Sequence, residues 1–275
     1  MALSFISRAP SAQEVDVLKL LLSTFCDGGG GLATPTGSLP DWRQIERVVA
    51  AMFKSRAGEN KGVFDVIVLS DAVGGGDFGL SVKSKELKRS TALADLATGG
   101  RVYMELSNSP AKFWDALKAK GIAEADFRAR REPDLVGNTV IETVQAWHRE
   151  AATAYGRQPA RRTLDLAQSA YLVFSYRKRE SALPEYQVHS FALDFPAGIR
   201  WRYKSDNCLS GEDPGHPDED LFDWYAVSGG QLKYYPRAAR ARFSSEIFTL
   251  VPPKQVSLLE KAAMCFPEEW KKVAR

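Results

Sequence analysis

Four side chains between positions 46 and 83 have the types and spacing for one kind of chemistry: Glu46, Asp65, Ser81 and Lys83. Two carboxylates can hold a magnesium ion while leaving room for water and for phosphate oxygens. A lysine ammonium beside that ion can orient the water or neutralise charge developing on a phosphoryl oxygen. Together these groups suit the hydrolysis of a phosphodiester bond. Asp65 and Glu46 are the candidate metal ligands; Lys83 and Ser81 complete the candidate catalytic set.

The surrounding sequence says how such residues could be positioned. Asp41 can cap a helix whose apolar stripe is Trp42, Ile45, Val49, Met52 and Phe53, with Val48 beside it. Glu46 lies at the border of that stripe, where it either reaches inward or pairs with a surface arginine. Next comes VFDVIVL, Val63 to Leu69, so apolar that it reads as a central strand covered on both faces. Asp65 is costly inside such a run unless it is paired or holds a metal; at the strand start it could act as a cap. The following GGGDFG matches G-x-G-x-x-G, but a dinucleotide site needs a helix after it and FGLSVKS reads as a strand. In that strand Leu80 and Val82 share one face and Ser81 and Lys83 the other. It is expected to pair with the strand carrying Asp65.

Elsewhere, Ser11 can cap a helix carrying Val15, Leu18, Leu21, Leu22 and Phe25, and the glycines at 28–31 read as a loop with no phosphate-binding lysine after them. RVYMELS reads as a third strand with Glu105 near its end, a helix starts around Pro110, and a longer one runs from Pro133 to Tyr155 with Leu135, Val140, Val144 and Trp147. His148 on that helix has no evident partner. AYLVFSYRKR and EYQVHSFALDF form two strands around a turn, GIRWRYKS another, LFDWYAVSGGQLKYYP a hairpin, and EIFTLVPP one more. The acidic stretch Glu212 to Asp220 contains His216 but reads as an exposed loop, and helices broken at Pro267 close the chain. The expected class is α/β (α+β): a mixed central sheet flanked by helices, with a β-rich C-terminal half. The simplest division puts N-terminal helices and a catalytic core in residues 1–160 and a β-rich recognition part in 161–275, with a shared sheet system as the alternative.

With 275 residues, 44% hydrophobic and 26% charged, the chain can bury an ordinary core. No apolar run is long enough to span a membrane, and the N-terminus lacks the apolar core of a signal peptide. Cys26, Cys208 and Cys265 are scattered and odd in number, which argues for a reducing setting, the cytoplasm, and against a disulfide framework or zinc site. The net charge of +3 announces no partner, so the placement of charge matters more. Basic clusters at 83–89, 157–162, 177–179, 200–204 and 233–242 can neutralise phosphates, although each alone reads first as solvated surface.

At Glu46, Asp65 and Ser81-x-Lys83 the sequence resembles the PD-(D/E)-x-K nuclease superfamily, particularly its type II restriction endonucleases. The resemblance covers about forty residues and departs from the pattern in two places: no proline precedes Asp65, and Ser81 stands where an acid is expected. Asp77, Glu86 or Glu105 could supply that charge instead. The resemblance implies a magnesium-dependent enzyme cutting double-stranded DNA at a specific sequence, a homodimer matched to a palindromic site, and a cognate DNA methyltransferase in the host. The second half would then read the DNA. Gln231 and Lys233 share a strand face and could contact adenine and guanine in the major groove. Arg237, Arg240 and Arg242, with Lys85, Lys88 and Arg89, could grip phosphates or bases. Two other readings compete: a non-catalytic DNA-binding or regulatory protein in which Asp65 and Lys83 are a structural ion pair, and a nuclease for branched DNA, RNA or repair intermediates.

Overall fold

The computed structural model describes residues 8–26, 39–55, 62–70, 76–88, 90–157, 162–178, 183–227, 230–254 and 256–273. The glycines at 28–31, Arg89, and the turn residues Ser228 and Gly229 lie outside them.

Two helices open the fold on the same capping device. α1 (Ala12–Ser23) starts at Ser11, whose hydroxyl accepts the Glu14 amide while the Glu14 carboxylate accepts the Ser11 amide. α2 (Trp42–Met52) repeats the exchange between Asp41 and Gln44. Along the chain follow β1 (Val66–Val68), β2 (Phe78–Glu86), α3 (Leu93–Ala97), β3 (Met104–Asn108), α4 (Pro110–Ala119), α5 (Glu124–Arg128) and α6 (Pro133–Gly156). The second half adds β4 (Ala170–Arg177), β5 (Glu185–Ala192), β6 (Trp201–Ser205), β7 (Cys208–Asp213), β8 (His216–Tyr225), β9 (Gln231–Tyr234), β10 (Phe243–Ser244) and β11 (Phe248–Thr249), then α7 (Leu258–Cys265) and α8 (Pro267–Val273).

The strands form two sheets, and the class is mixed α/β. The first sheet has the order β1-β2-β4-β5-β10, with β11 also on β5. β1 runs antiparallel to β2, β2 parallel to β4, and β4 antiparallel to β5. The parallel pair needs a crossover, and the chain between β2 and β4, including α6, supplies it. The second sheet, β3-β9-β8-β7-β6, is antiparallel throughout. Each sheet takes strands from both sides of residue 160, so a cut there severs both.

Two cores follow from the two faces of the first sheet. Val15, Leu18 and Leu22 of α1 and Ile45, Val48, Val49 and Met52 of α2 pack on Val66, Leu80, Val82, Leu172 and Val188. On the opposite face Tyr171, Val173 and Phe191 join a larger core with α4, α5 and α6 and the inner side of the second sheet, where Phe222, Trp224, Leu232 and Tyr234 are buried. The backbone of α6 comes close to β6: a Cβ on Gly137 would stand 2.0 Å from the Trp201 ring.

Several sequence expectations change. VFDVIVL is not a central strand: only Val66–Val68 pair, and β1 is the edge of its sheet. It reads as central because its two faces enter two cores, Val66 and Val68 in one and Ile67 against the other. Trp42 is not in the stripe; it is exposed, with the Arg43 guanidinium 4.8 Å above its ring. Leu135 is likewise 40% exposed.

The acidic stretch is not a loop. It is the β7–β8 hairpin, and its carboxylates hold cations of the neighbouring elements. Arg202 reaches Glu212 at 3.0 Å and Asp220 at 2.6 Å, Arg237 reaches Glu219 at 2.6 Å, and Arg240 reaches Asp213 at 2.7 Å. Sequence alone hides this, since the acids and their arginines meet only when the second sheet forms. Among the described residues no helix is long and apolar enough to cross a membrane.

Candidate active site

The free edge of β2 begins where β1 starts. Asp65 stands just before β1, and its amide still donates to the Leu80 carbonyl at 2.9 Å. Its carboxylate then takes over from the strand. Oδ2 accepts the Val82 amide at 2.7 Å, and the Ser81 hydroxyl also bonds to this side chain. Asp65 therefore does cap the strand start, and the same geometry points it at Ser81 and Lys83.

What holds Asp65 there is the residue before it. The Phe64 ring lies against β2 at Gly79, where a Cβ would meet the ring at 2.3 Å. Behind the ring, His148 of α6 stacks on Phe64 with centroids 5.8 Å apart, and its Nε2 lies 3.2 Å from the Tyr171 hydroxyl. The expectation that His148 lacks a partner is thus overturned: the helix delivers it to Tyr171 on β4, the next strand along the chain. Burial, helped by Arg149 and Lys83, pushes His148 down to about 4, so it is neutral near pH 7. It supports the site from beneath rather than supplying charge.

Glu46 comes from α2, half-buried, and joins the same electrostatic neighbourhood. Burial first, then the Asp65 carboxylate, raise Glu46 to about 7, against the pull of Lys83 and Arg43. Asp65 is raised as well, by burial, although Lys83, the Val82 amide and the Ser81 hydroxyl all favour its charged form. The structure therefore brings together the four residues expected from sequence. The Asp65 carboxylate adds to the burial that raises Glu46, and the cations near them do not restore ordinary acidity.

That donor set fits magnesium. It is all oxygen: two carboxylates and a hydroxyl, without thiolate or imidazole. Magnesium is commonly held by one or two carboxylates and keeps several waters for the rest of its shell. Among the described residues no group of three His, Cys, Asp or Glu side chains could enclose a metal, so a closed protein cage of the zinc type does not fit.

The three acids considered for the place of the one missing at Ser81 are engaged or placed elsewhere in the fold. Asp77 is buried and committed, accepting the Ser70 amide at 3.0 Å and the Tyr155 hydroxyl at 2.8 Å. Glu86 pairs with Lys178 at 2.7 Å. Glu105 sits in the second sheet, opposite Lys233.

The expected DNA contacts divide into two groups. Lys85, exposed, has its Nζ 4.4 Å from the Tyr103 ring centroid; Lys88 is exposed; Gln231 and Lys233 point outward from β9. The arginines are used inside the fold. Arg237 also donates to the Gly99 carbonyl, Arg240 holds Asp213, and Arg242 donates to the carbonyls of Gln168 and Ala167. Tyr234 is core, and Tyr235 donates to Asp223 at 3.1 Å. Comparison of the chain with protein-family models, with curated proteins and with solved structures finds no match.

Proposed function

We propose that this chain is a magnesium-dependent endonuclease of the type II restriction kind, cutting phosphodiester bonds of double-stranded DNA at a specific sequence. The observation that carries the reading is the pair Glu46 and Asp65, one raised to about 7 by burial and by the other, beside Lys83 at the free edge of β2. An anion pair held partly desolvated, with its acidity suppressed, is set up to receive a cation. The topology supports a restriction-endonuclease-like core: an acid on a packed helix, an aspartate at one strand, a lysine on its antiparallel neighbour, and a further strand parallel to that neighbour.

In this reading Asp65 and Glu46 hold the ion, and magnesium when bound activates water and offsets the charge of the phosphate. Lys83 places an ammonium against charge developing on the phosphoryl oxygens. Ser81 fixes the Asp65 carboxylate by its hydroxyl. Lys85 and Lys88 neutralise phosphates. A twofold dimer matches a palindromic site, and a host methyltransferase protects its own DNA in the same cytoplasm.

A second reading rests on one observation: the Asp65 carboxylate already serves the Val82 amide and Ser81, as a strand cap would. The chain would then bind DNA without cutting it. The deciding experiment is incubation of long, unmethylated, mixed-sequence DNA with magnesium, with and without chelator, beside Lys83→Ala. Discrete fragments that need magnesium and vanish in the variant are the expected result. Intact DNA with binding retained establishes the second reading, and a smear lost in the variant establishes a nuclease that does not read sequence.

A further inference from the structure

The outward face of the second sheet carries three tyrosines that the fold leaves partly exposed. Strand register puts Glu105, Lys233, Asp223 and Ser210 in one row across it, with Gln231 beside Tyr225 in the next. Tyr103 and Tyr235 stand on the same side, their rings 5.4 Å apart, while Met104, Leu232, Tyr234 and Trp224 alternate into the core. Each of these tyrosines has a cation over its ring: Lys85 4.4 Å from Tyr103, Lys233 4.2 Å from Tyr225, and Arg101 5.9 Å from Tyr235. Lys85 follows Lys83 on the same face of β2, so this surface begins where the edge site ends.

Its charges sort into two groups. Asp223 is taken by Ser210, by Tyr235 at 3.1 Å and by Lys204 at 3.3 Å, and Asp220 by Arg202 and Lys204. Lys85 and Lys233 have no carboxylate partner among the described residues, and Glu105 is the one acid of this face without an ion pair among them. The face is therefore aromatic and flanked by lysines that rest on its rings without a carboxylate partner among the described residues.

We propose that this face is a stacking platform for the unpaired bases of a single-stranded nucleic acid. Every base has a π-face that a tyrosine can stack on, whatever the sequence. Flexible lysines resting on the rings can move to phosphates when a base takes their place, retaining their electrostatic role. Gln231 can pair with a base edge, and the Glu105 carboxylate can accept from an exocyclic amino group. A duplex keeps its bases stacked on one another and cannot offer them to the tyrosines, so the platform selects unpaired nucleotides. The proposal does not depend on hydrolysis at the edge site.

The test is fluorescence anisotropy of the full chain with a labelled mixed-sequence oligonucleotide in chelator, single-stranded, as its duplex, and as RNA. Binding to the single strands tighter than to the duplex is expected. Tyr103→Ala and Tyr225→Ala should each weaken it roughly ten-fold, while Tyr103→Phe, which keeps the ring, stays near wild type. Lys85→Ala should lower the salt slope of single-strand binding by about 0.7. Absence of single-strand binding, preference for the duplex, or affinities unmoved by both Tyr→Ala variants while the proteins keep their melting temperatures would overturn it. Since no metal is present, a failure here leaves the cleavage experiment untouched, and the reverse also holds.

Discussion

Two regions of this molecule gather acids and bases, and they do so in opposite ways. On the β7–β8 hairpin carboxylates meet cations: Asp213 with Arg240 at 2.7 Å, Glu219 with Arg237 at 2.6 Å, Asp220 with both Arg202 and Lys204. At the edge of β2 two carboxylates meet beside Lys83, and both are held less acidic than in water. The hairpin's ion pairs fix strands to one another. The edge site keeps an unfavourable interaction of Asp65 on Glu46, which in the proposed reading a bound cation relieves. A cluster is better judged by whether its charges are already matched than by how many it contains.

The largest effects should separate the two regions by what each variant damages. Lys83→Ala and Asp65→Asn are expected to lower cleavage at least about a hundred-fold, as removal of a charge-stabilising group does. Asparagine keeps an oxygen for the Val82 amide, so thermal unfolding of Asp65→Asn should stay near wild type. Arg240→Ala should do the reverse. It strands Asp213, 1% exposed, and should cost about 2–3 kcal/mol by chemical denaturation. That is less than breaking a fully buried pair costs, since Arg240 is itself about a third exposed. Unfolding of Asp65→Asn as severe as that of Arg240→Ala would make the edge site a structural cap like the hairpin.

Gly79→Ala probes how the edge site is held. The added methyl would stand 2.3 Å from the Phe64 ring, so the ring must move and carry Asp65 with it. Activity should fall ten-fold or more, as small misplacements of reacting groups do, with a destabilisation of about 1–3 kcal/mol from overpacking. An active site that tolerates this change would not depend on Phe64 for its placement.

Glu46 gives the comparison a pH axis. Its carboxyl sits at about 7 in the folded chain against 4.5 for the free group. The stability it contributes is full below pH 4.5 and is lost as pH rises through 7. Glu46→Gln cannot ionise, so it should melt higher than wild type above neutrality and match it in acid. The gain at high pH should be on the order of 1 kcal/mol, discounted for the solvent screening of a half-exposed group. Magnesium should raise the melting temperature of the wild type at high pH and do so less in Glu46→Gln. Equal shifts in the two proteins would remove Glu46 from the ion's ligands.

How much of this was written in the sequence depends on the range of the interaction. The capping boxes at Ser11 and Asp41, the alternation in FGLSVKS and the β4–β5 hairpin are local, and each is legible within a few residues. The meeting of Glu46, Asp65 and Lys83 was legible because helix border, strand start and strand face are periodicity arguments. The edge position of β1 was not, because a strand covered by helices on both sides has the same apolar run as a central one. The pairing of His148 with Tyr171, and of the hairpin acids with Arg237 and Arg240, joins different elements across intervening chain that sets their approach. No local pattern encodes those partners. The acidic stretch and the basic cluster each resembled solvated surface because each was read without the other.

The smallest expected effect tests whether the edge site is complete without a third acid. Glu86 is on the same strand as Lys83, yet its carboxylate is committed to Lys178 at 2.7 Å, with both side chains well exposed. A pair of that kind contributes at most about 1 kcal/mol. Glu86→Ala should therefore leave magnesium-dependent cleavage unchanged and shift unfolding by about 0.5 kcal/mol or less. If cleavage instead falls with Lys83→Ala-like severity, Glu86 must leave Lys178 to join the ion, and the acid missing at Ser81 is supplied from farther along the strand. An unchanged rate leaves Glu46 and Asp65 as the protein's full share of the carboxylates, with water, phosphate and the Ser81 hydroxyl making up the remainder.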